Sequence, residues 1–224
     1  MIGAKTNLVS FTFREKTIAI FPKSLPLLEL YRFADQVSRD SGRTLGPIGP
    51  ELADMLVTSA VRTDILRSSP FATSGLIAYP PGGESIGQQV IYSDHTGVRM
   101  IFPSGAYRGE KSIALFVPRT TLSDLREDGR DIFVDVAHER IVPILRFPDE
   151  SGWYSAGQDF AIPNGEPVEA NKGRFLSRTK TPYVGPIARG YSFDGHGSAY
   201  VCVDFAPWYR LGAVFETDRS VPDP

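Results

Sequence analysis

The residues best able to do chemistry in this chain cluster in the run RTKTPYVGPIARGYSFDGHGSAY, positions 178–200. Tyrosine and arginine combine a large contact area with directional hydrogen bonds, and both are favoured at binding hot spots. Prolines and glycines between them preset the backbone, so that the side chains are held at a low entropic cost. The predicted binding residues are Arg178, Tyr183, Arg189, Tyr191, Asp194 and His196.

This stretch is also locally basic, because Arg174 and Lys180 lie beside Arg178 in an otherwise balanced chain. Arginine binds carboxylates and phosphates with two parallel hydrogen bonds. The Arg/Tyr-rich segment around 174–196 is therefore predicted to be a loop that binds a protein partner or mediates self-association, with a small anionic ligand as the alternative.

The three histidines suggest a second chemistry, since each has an aspartate within three residues. A neighbouring carboxylate sets the tautomer and raises the basicity of an imidazole, as general-base catalysis and metal binding both require. The pairs are Asp94 with His95, Asp135 with His138, and Asp194 with His196. A hydrolase that uses such a pair, as general base or in a metal site, is thus the alternative function. No zinc-type spacing is present, so we expect no metal or cofactor and assign no catalytic residue.

Composition narrows the remaining classes of function. The formal net charge of −2 and the pI of about 5.9 provide no general attraction to nucleic acid. The longest apolar runs are far shorter than the ~18 residues that a membrane-spanning helix needs. The amino-terminal sequence does not resemble a signal peptide, and the single cysteine, Cys202, permits no internal disulfide. We therefore expect a soluble cytoplasmic protein without membrane or nucleic-acid partners.

The first 21 residues predict a β-hairpin. Val9, Phe11 and Phe13 alternate with polar residues, REK at 14–16 predicts a three-residue turn, and Pro22 is expected to end the returning strand.

Two helices are expected next, packed together as an αα-hairpin. Ser24 is the predicted cap of the first and Gly42 its end, while Pro50 begins the second and Pro70 follows it. The first apolar stripe is Leu27, Leu30, Tyr31, Ala34 and Val37, and the second is Leu52, Met55, Leu56, Ser59, Thr63 and Leu66.

From residue 71 onward, short apolar runs recur between glycine- and aspartate-rich turns, a pattern typical of an antiparallel sandwich or a barrel-like sheet. Residues 120–128 predict one helical turn capped by Thr121 or Ser123. Pro143 removes a backbone donor and predicts an edge strand or a bulge.

The sequence as a whole predicts an α+β fold, in which an N-terminal β-hairpin and an αα-hairpin pack on a larger, mostly antiparallel β-sandwich or barrel-like sheet. We expect one domain over 1–224, and the alternative is a boundary near residue 70 that separates 1–70 from 71–224. The predicted function is that of a binding or assembly protein, including a subunit of a homo-oligomer or of a virus-like particle.

Overall fold

The computed structural model describes residues 8–59, 70–79, 91–93, 99–101, 114–129, 131–144, 146–156, 162–176, 187–193, 199–203 and 210–217. These ranges are mostly β, with two helices, α1 Leu27–Ser41 and α2 Pro50–Thr58. The strands before residue 120 are β1 Val9–Phe13, β2 Lys16–Pro26, β3 Leu45–Pro47, β4 Phe71–Tyr79, β5 Ile91–Ser93, β6 Arg99–Ile101 and β7 Ala114–Val117. The later strands are β8 Leu125–Asp128, β9 Asp131–Val134, β10 Val142–Ile144, β11 Gly152–Ala156, β12 Pro163–Pro167, β13 Arg174–Leu176, β14 Ile187–Phe193, β15 Ala199–Val203 and β16 Arg210–Thr217.

The strands form two sheets. The larger runs in the order β1-β2-β16-β4-β14-β15-β13-β11-β12, with β3 beside β16, β7 beside β4 and β10 beside β7. The smaller runs β5-β6-β9-β8. Three pairings are parallel (β4 with β16, β13 with β15, β6 with β9), and the other pairings of the described strands are antiparallel. The α+β class and the mostly antiparallel pairing are confirmed, whereas neither sheet closes into a barrel through the described strands.

The predicted hairpin at the start of the chain is present, but its turn is shorter than expected. Arg14 and Glu15 both have positive φ, 46° and 64°, as in the two-residue turn that matches the twist of paired strands. Lys16 already pairs with Phe13, so the three-residue turn was wrong.

Pro22 does not end the second strand of the hairpin, as the sequence had suggested. The register of β2 with β16 steps from Phe21–Ala213 to Ser24–Gly212, which places Pro22 and Lys23 in a bulge. The missing donor of a proline costs no ladder hydrogen bond there, so β2 continues to Pro26.

Helix α1 buries the predicted face, through Leu27, Leu30, Tyr31 and Ala34, and it packs on β2, β3 and β16. It ends at Ser41, and the predicted stop, Gly42, follows as the C-cap with a φ of 66°, the left-handed conformation that suits glycine. The predicted Ser24 cap is wrong, because β2 extends to Pro26 and the helix begins directly after it without a side-chain cap.

Helix α2 begins at Pro50 as predicted, buries Leu52 and Leu56, and packs on β4 and β14. It ends at Thr58, and Thr63 and Leu66 lie outside the described residues. The expected αα-hairpin is interrupted, because the segment between the helices contains β3, whose backbone pairs with residues 215–217 of β16. Each helix therefore packs on strands.

Strand β4 lies at the centre of the fold, with every residue buried. Its first residue, Phe71, lies beside β16, and residues 76–78 lie beside β7, while β14 pairs along its other edge. The largest fully buried side chains among the described residues include Tyr31, Phe71, Tyr79, Phe116, Phe193 and Phe215.

A buried polar network satisfies the backbone where β4 passes from β16 to β7. The Ser74 amide donates to the Ile48 carbonyl at 2.9 Å, and the Ser74 carbonyl accepts the Thr120 amide at 3.0 Å and its hydroxyl at 2.6 Å. The Tyr31 hydroxyl completes the chain by donating to Thr120 Oγ1 at 2.5 Å. Burial, together with the nearby Asp124 carboxylate, raises the pKa of Tyr31, so its phenol keeps its proton and remains a donor.

Thr120→Val tests this network. We expect the free energy of unfolding to fall by about 1–2 kcal/mol, because the change removes one hydroxyl donor and leaves the Tyr31 hydroxyl without its buried acceptor. In the double variant Tyr31→Phe/Thr120→Val, the free energy of unfolding measured in urea should fall by less than the sum of the decreases in the two single variants. Strictly additive losses would show that the two hydroxyls are not coupled.

Two smaller expectations are also met. Thr121 is the N-cap of the 3₁₀ turn Leu122–Asp124, and its backbone amide and hydroxyl both donate to the Asp124 carboxylate, at 2.8 and 3.0 Å. Strand β10, which contains Pro143, pairs only with β7 among the described strands, so it is an edge strand. The single domain over 1–224 stays a prediction.

Candidate functional site

The Arg/Tyr-rich segment contains a strand where the sequence suggested a loop. Arg189 pairs with Ile77 of β4, and Tyr191 pairs with Val201 of β15, so the middle of the segment is the interior strand β14. The other four predicted binding residues, Arg178, Tyr183, Asp194 and His196, lie outside the described residues. The structure therefore places the backbones of two of the six residues, and the predicted site stays a prediction.

Arg174 was expected in the exposed basic patch, and this expectation is wrong. Its side chain is only 10% exposed, forms an ion pair with Asp54 on α2, and lies 5.5 Å from the ring of Phe193. Strand β13 lies between β11 and β15 in the sheet, and the ion pair with Asp54 joins it to α2. The guanidinium therefore ties the sheet to the helix.

The side chains of the three histidines also lie outside the part of the chain that the structure describes. His95 and His196 are outside the described residues, and the backbone of His138 lies in the 3₁₀ turn His138–Arg140. Across the described ranges, no three His, Cys, Asp or Glu side chains are grouped closely enough to hold a metal ion.

A cleft of about 550 Å³ lies where five separate parts of the chain meet. They are the tip of the β1–β2 hairpin, the first turns of α2, the segment after β7, the turn leading into β10, and β16. Four cations line it (Arg14, Lys16, Arg119, Arg140), with three acids (Glu51, Glu139, Glu216) and an apolar part formed by Pro50, Leu52, Met55, Pro118 and Val142.

Arg14 is the cation that reaches the cleft from the hairpin tip. Its Nη1 donates to the Met55 sulfur at 2.9 Å, and its guanidinium lies 6.0 Å from the ring of Phe13. Its contacts in the described part of the chain thus include a thioether and an aromatic ring, and no carboxylate. A thioether is a weak acceptor, so most of the five N–H donors of Arg14 remain able to bind a ligand.

Arg119, in the segment after β7, is held by Glu216 of β16. The two are joined by an ion pair of 2.6 Å between Nη2 and Oε1, in which Glu216 is 11% exposed and Arg119 is 60% exposed. One side of the Arg119 guanidinium is therefore anchored to the sheet, and the rest faces the open part of the cleft.

Arg140 fixes the backbone from which Arg119 projects. It donates to both oxygens of Asp124, at 2.7 and 2.9 Å, and to the Arg119 carbonyl at 2.7 Å. Burial alone would raise the pKa of Asp124, but hydrogen bonds from Arg140 and Thr121 outweigh it and hold that pKa below its usual range. The carboxylate is consequently ionised at neutral pH, and it holds Arg140 at the wall of the cleft.

Sequence reasoning missed this cleft because its residues form no motif. They come from positions spread between 14 and 216, and only the tertiary fold assembles them. One local signal was available, since a two-residue hairpin turn must display Arg14 at its tip.

Comparisons of the chain with protein-family models, with curated proteins and with solved structures found no match. Neither described helix is long and apolar enough to cross a membrane.

Proposed function

We propose that this chain is a binding protein, and that the cleft at the start of α2 takes a compact ligand with a carboxylate or phosphate group on an apolar body. The proposal agrees in kind with the sequence-based prediction of a binding or assembly protein. It places one binding surface at the cleft, whose described lining residues do not belong to the Arg/Tyr-rich segment.

The main observation in support of the proposal is the set of contacts that Arg14 makes. A guanidinium that contacts a sulfur and a ring in place of a carboxylate is a ready partner for an incoming anion, which it can bind with two hydrogen bonds. Arg119 offers a second, partly exposed guanidinium in the same cleft.

The remaining lining indicates the size and character of the ligand. The volume lies within the range of small-molecule sites, and Met55, Leu52 and Val142 provide apolar contact. Glu51 and Glu139 are exposed, and they disfavour a polyanion by like-charge repulsion. A ligand with one anionic group therefore fits better than a nucleic acid.

Benzoate and phenyl phosphate are suitable probes, with benzamide as the neutral analogue of benzoate. We expect titration calorimetry or NMR to detect the two anions, and Arg14→Gln to weaken their binding about tenfold or more, since a charge-assisted hydrogen bond contributes about 1.5–3 kcal/mol. Added salt should also weaken binding.

Arg39→Gln is the matched control, because Arg39 is exposed on α1, does not line the cleft and pairs with Asp35. It should bind the probes like the unaltered chain. Equal binding of benzamide, or full binding by Arg14→Gln, would contradict the proposal.

The residues Arg178 to His196 stay a prediction for a second surface, and the hydrolase with an Asp–His pair stays the alternative function. Both depend on side chains that the structure does not describe. The cytoplasmic location likewise stays a prediction.

A further inference from the structure

Strand β1 forms one end of the larger sheet. Among the described strands it pairs with β2 alone, and all five of its residues are in continuous register. Val9 is 48% exposed, the one large apolar side chain so exposed among the described residues, and Ser10 beside it is also exposed. The strand therefore presents an apolar residue next to a backbone edge that no other described strand covers.

This edge differs from two other edge strands of the same sheet, β12 and β10. Strand β12 begins and ends with proline and contains Gly165 at a φ of 93°, and β10 contains Pro143. Prolines, charges and bulges are the usual means by which a protein prevents strand addition. The sequence of β1, VSFTF, has none of them.

The two-residue turn decides which backbone groups of β1 face outward. Phe13 and Lys16 flank the turn and form a hydrogen-bonded pair, and such pairs alternate along an antiparallel ladder. Phe11 and Val9 therefore direct their amide and carbonyl groups toward β2. Ser10, between them, directs its own away from β2 and toward solvent.

We propose that β1 pairs with β1 of a second copy of this chain, antiparallel and centred on Ser10. The two Ser10 residues exchange their outward hydrogen bonds across a two-fold axis, and Val9 of each copy lies opposite Phe11 of the other. Pairs of a β-branched and an aromatic residue on neighbouring strands are favourable.

A second copy suits this edge because the strand is complementary to itself. Both neighbours of Ser10 are apolar and lie on the same face of the strand. In the antiparallel arrangement the exposed Val9 of each copy is therefore covered by the half-buried Phe11 of the other, which gives two equivalent contacts. The strand carries no charge, so the two copies do not repel each other at the contact. The inference is independent of ligand binding in the cleft.

Sedimentation of the full chain over about a hundredfold range of concentration tests the inference. We expect the mass to rise to twice that of the chain and to stop there, because a two-fold contact is closed. Ser10→Pro should weaken the dimer at least about tenfold. It should leave the hairpin folded, because the lost amide faces away from β2.

Ser10→Ala is the matched control, since it keeps the amide and should still form the dimer. Val9→Lys is the second variant, because it places two charges at the contact without altering the backbone, and it should also give monomers. The inference is overturned by an unaltered chain that stays monomeric throughout, by growth beyond a dimer, or by Ser10→Pro and Val9→Lys variants that fold and still dimerise.

Discussion

Gly173→Ala is expected to destabilise the fold by about 3 kcal/mol or more. A Cβ at this position would lie 2.1 Å from the Tyr154 carbonyl oxygen and 2.8 Å from Cγ2 of Val168. The obstacle is mainly backbone, and the next residue, Arg174, is already paired with Tyr154 in the ladder between β11 and β13. Relief therefore requires these strands to separate, and no side-chain rotation can provide it.

Gly46→Ala is the matched control for this change. Gly46 lies in β3, and a Cβ there would meet no atom within 4 Å. Its substitution should change the free energy of unfolding by no more than about 0.5 kcal/mol. Urea titrations measure the free energy of unfolding of both variants. Equal values for Gly173→Ala and Gly46→Ala would show that β11 and β13 do not approach as closely as described.

The second large effect is expected from Arg140→Met. This change leaves the buried carboxylate of Asp124 with the hydrogen bonds of Thr121 and without its guanidinium. Removal of one partner from a fully buried pair costs about 3–5 kcal/mol, but Arg140 is 39% exposed and solvent already screens the interaction. We expect a loss of about 2–3 kcal/mol at neutral pH.

The loss of stability in Arg140→Met should depend on pH. In the unaltered chain the pKa of Asp124 is lowered on folding, so the stabilisation is present above its unfolded pKa of about 3.9 and is lost as the pH falls through the lower folded value. Without Arg140, the largest contribution that lowers the pKa of Asp124 in the folded chain is lost, and only the hydrogen bonds of Thr121 oppose the effect of burial. The variant should therefore gain less stability than the unaltered chain as the pH rises through the region above about 4.

The urea unfolding midpoints of the unaltered chain and of Arg140→Met should therefore be similar at acidic pH and should differ increasingly as the pH approaches neutrality. Arg39→Met, which breaks an exposed pair with Asp35, should differ from the unaltered chain by less than about 0.5 kcal/mol at every pH. A pH-independent loss in Arg140→Met would show that Arg140 acts by packing and not by its charge.

Those elements of the fold could be predicted whose signals lie within a few residues of each other in the sequence. The alternating residues of β1, the proline that begins α2 and the glycine that ends α1 act within a few residues of themselves. Pro143 marked an edge strand because a missing donor excludes an interior position. Strands β11 to β13 were missed because they are short and contain glycine, proline or charged residues, which weakens the alternation on which a strand prediction depends.

The sequence by itself determined the class of this protein, an α+β fold with mostly antiparallel strands, because hydrophobic periodicity and turn residues act locally. Only the tertiary structure decided where the charged side chains lie. It buried Arg174 in an ion pair with Asp54 of α2, and it brought Arg14, Arg119 and Arg140 to one cleft from distant parts of the chain. The physical reason is that burial and ion pairing depend on which strands become neighbours, and strand order follows from packing of the whole chain.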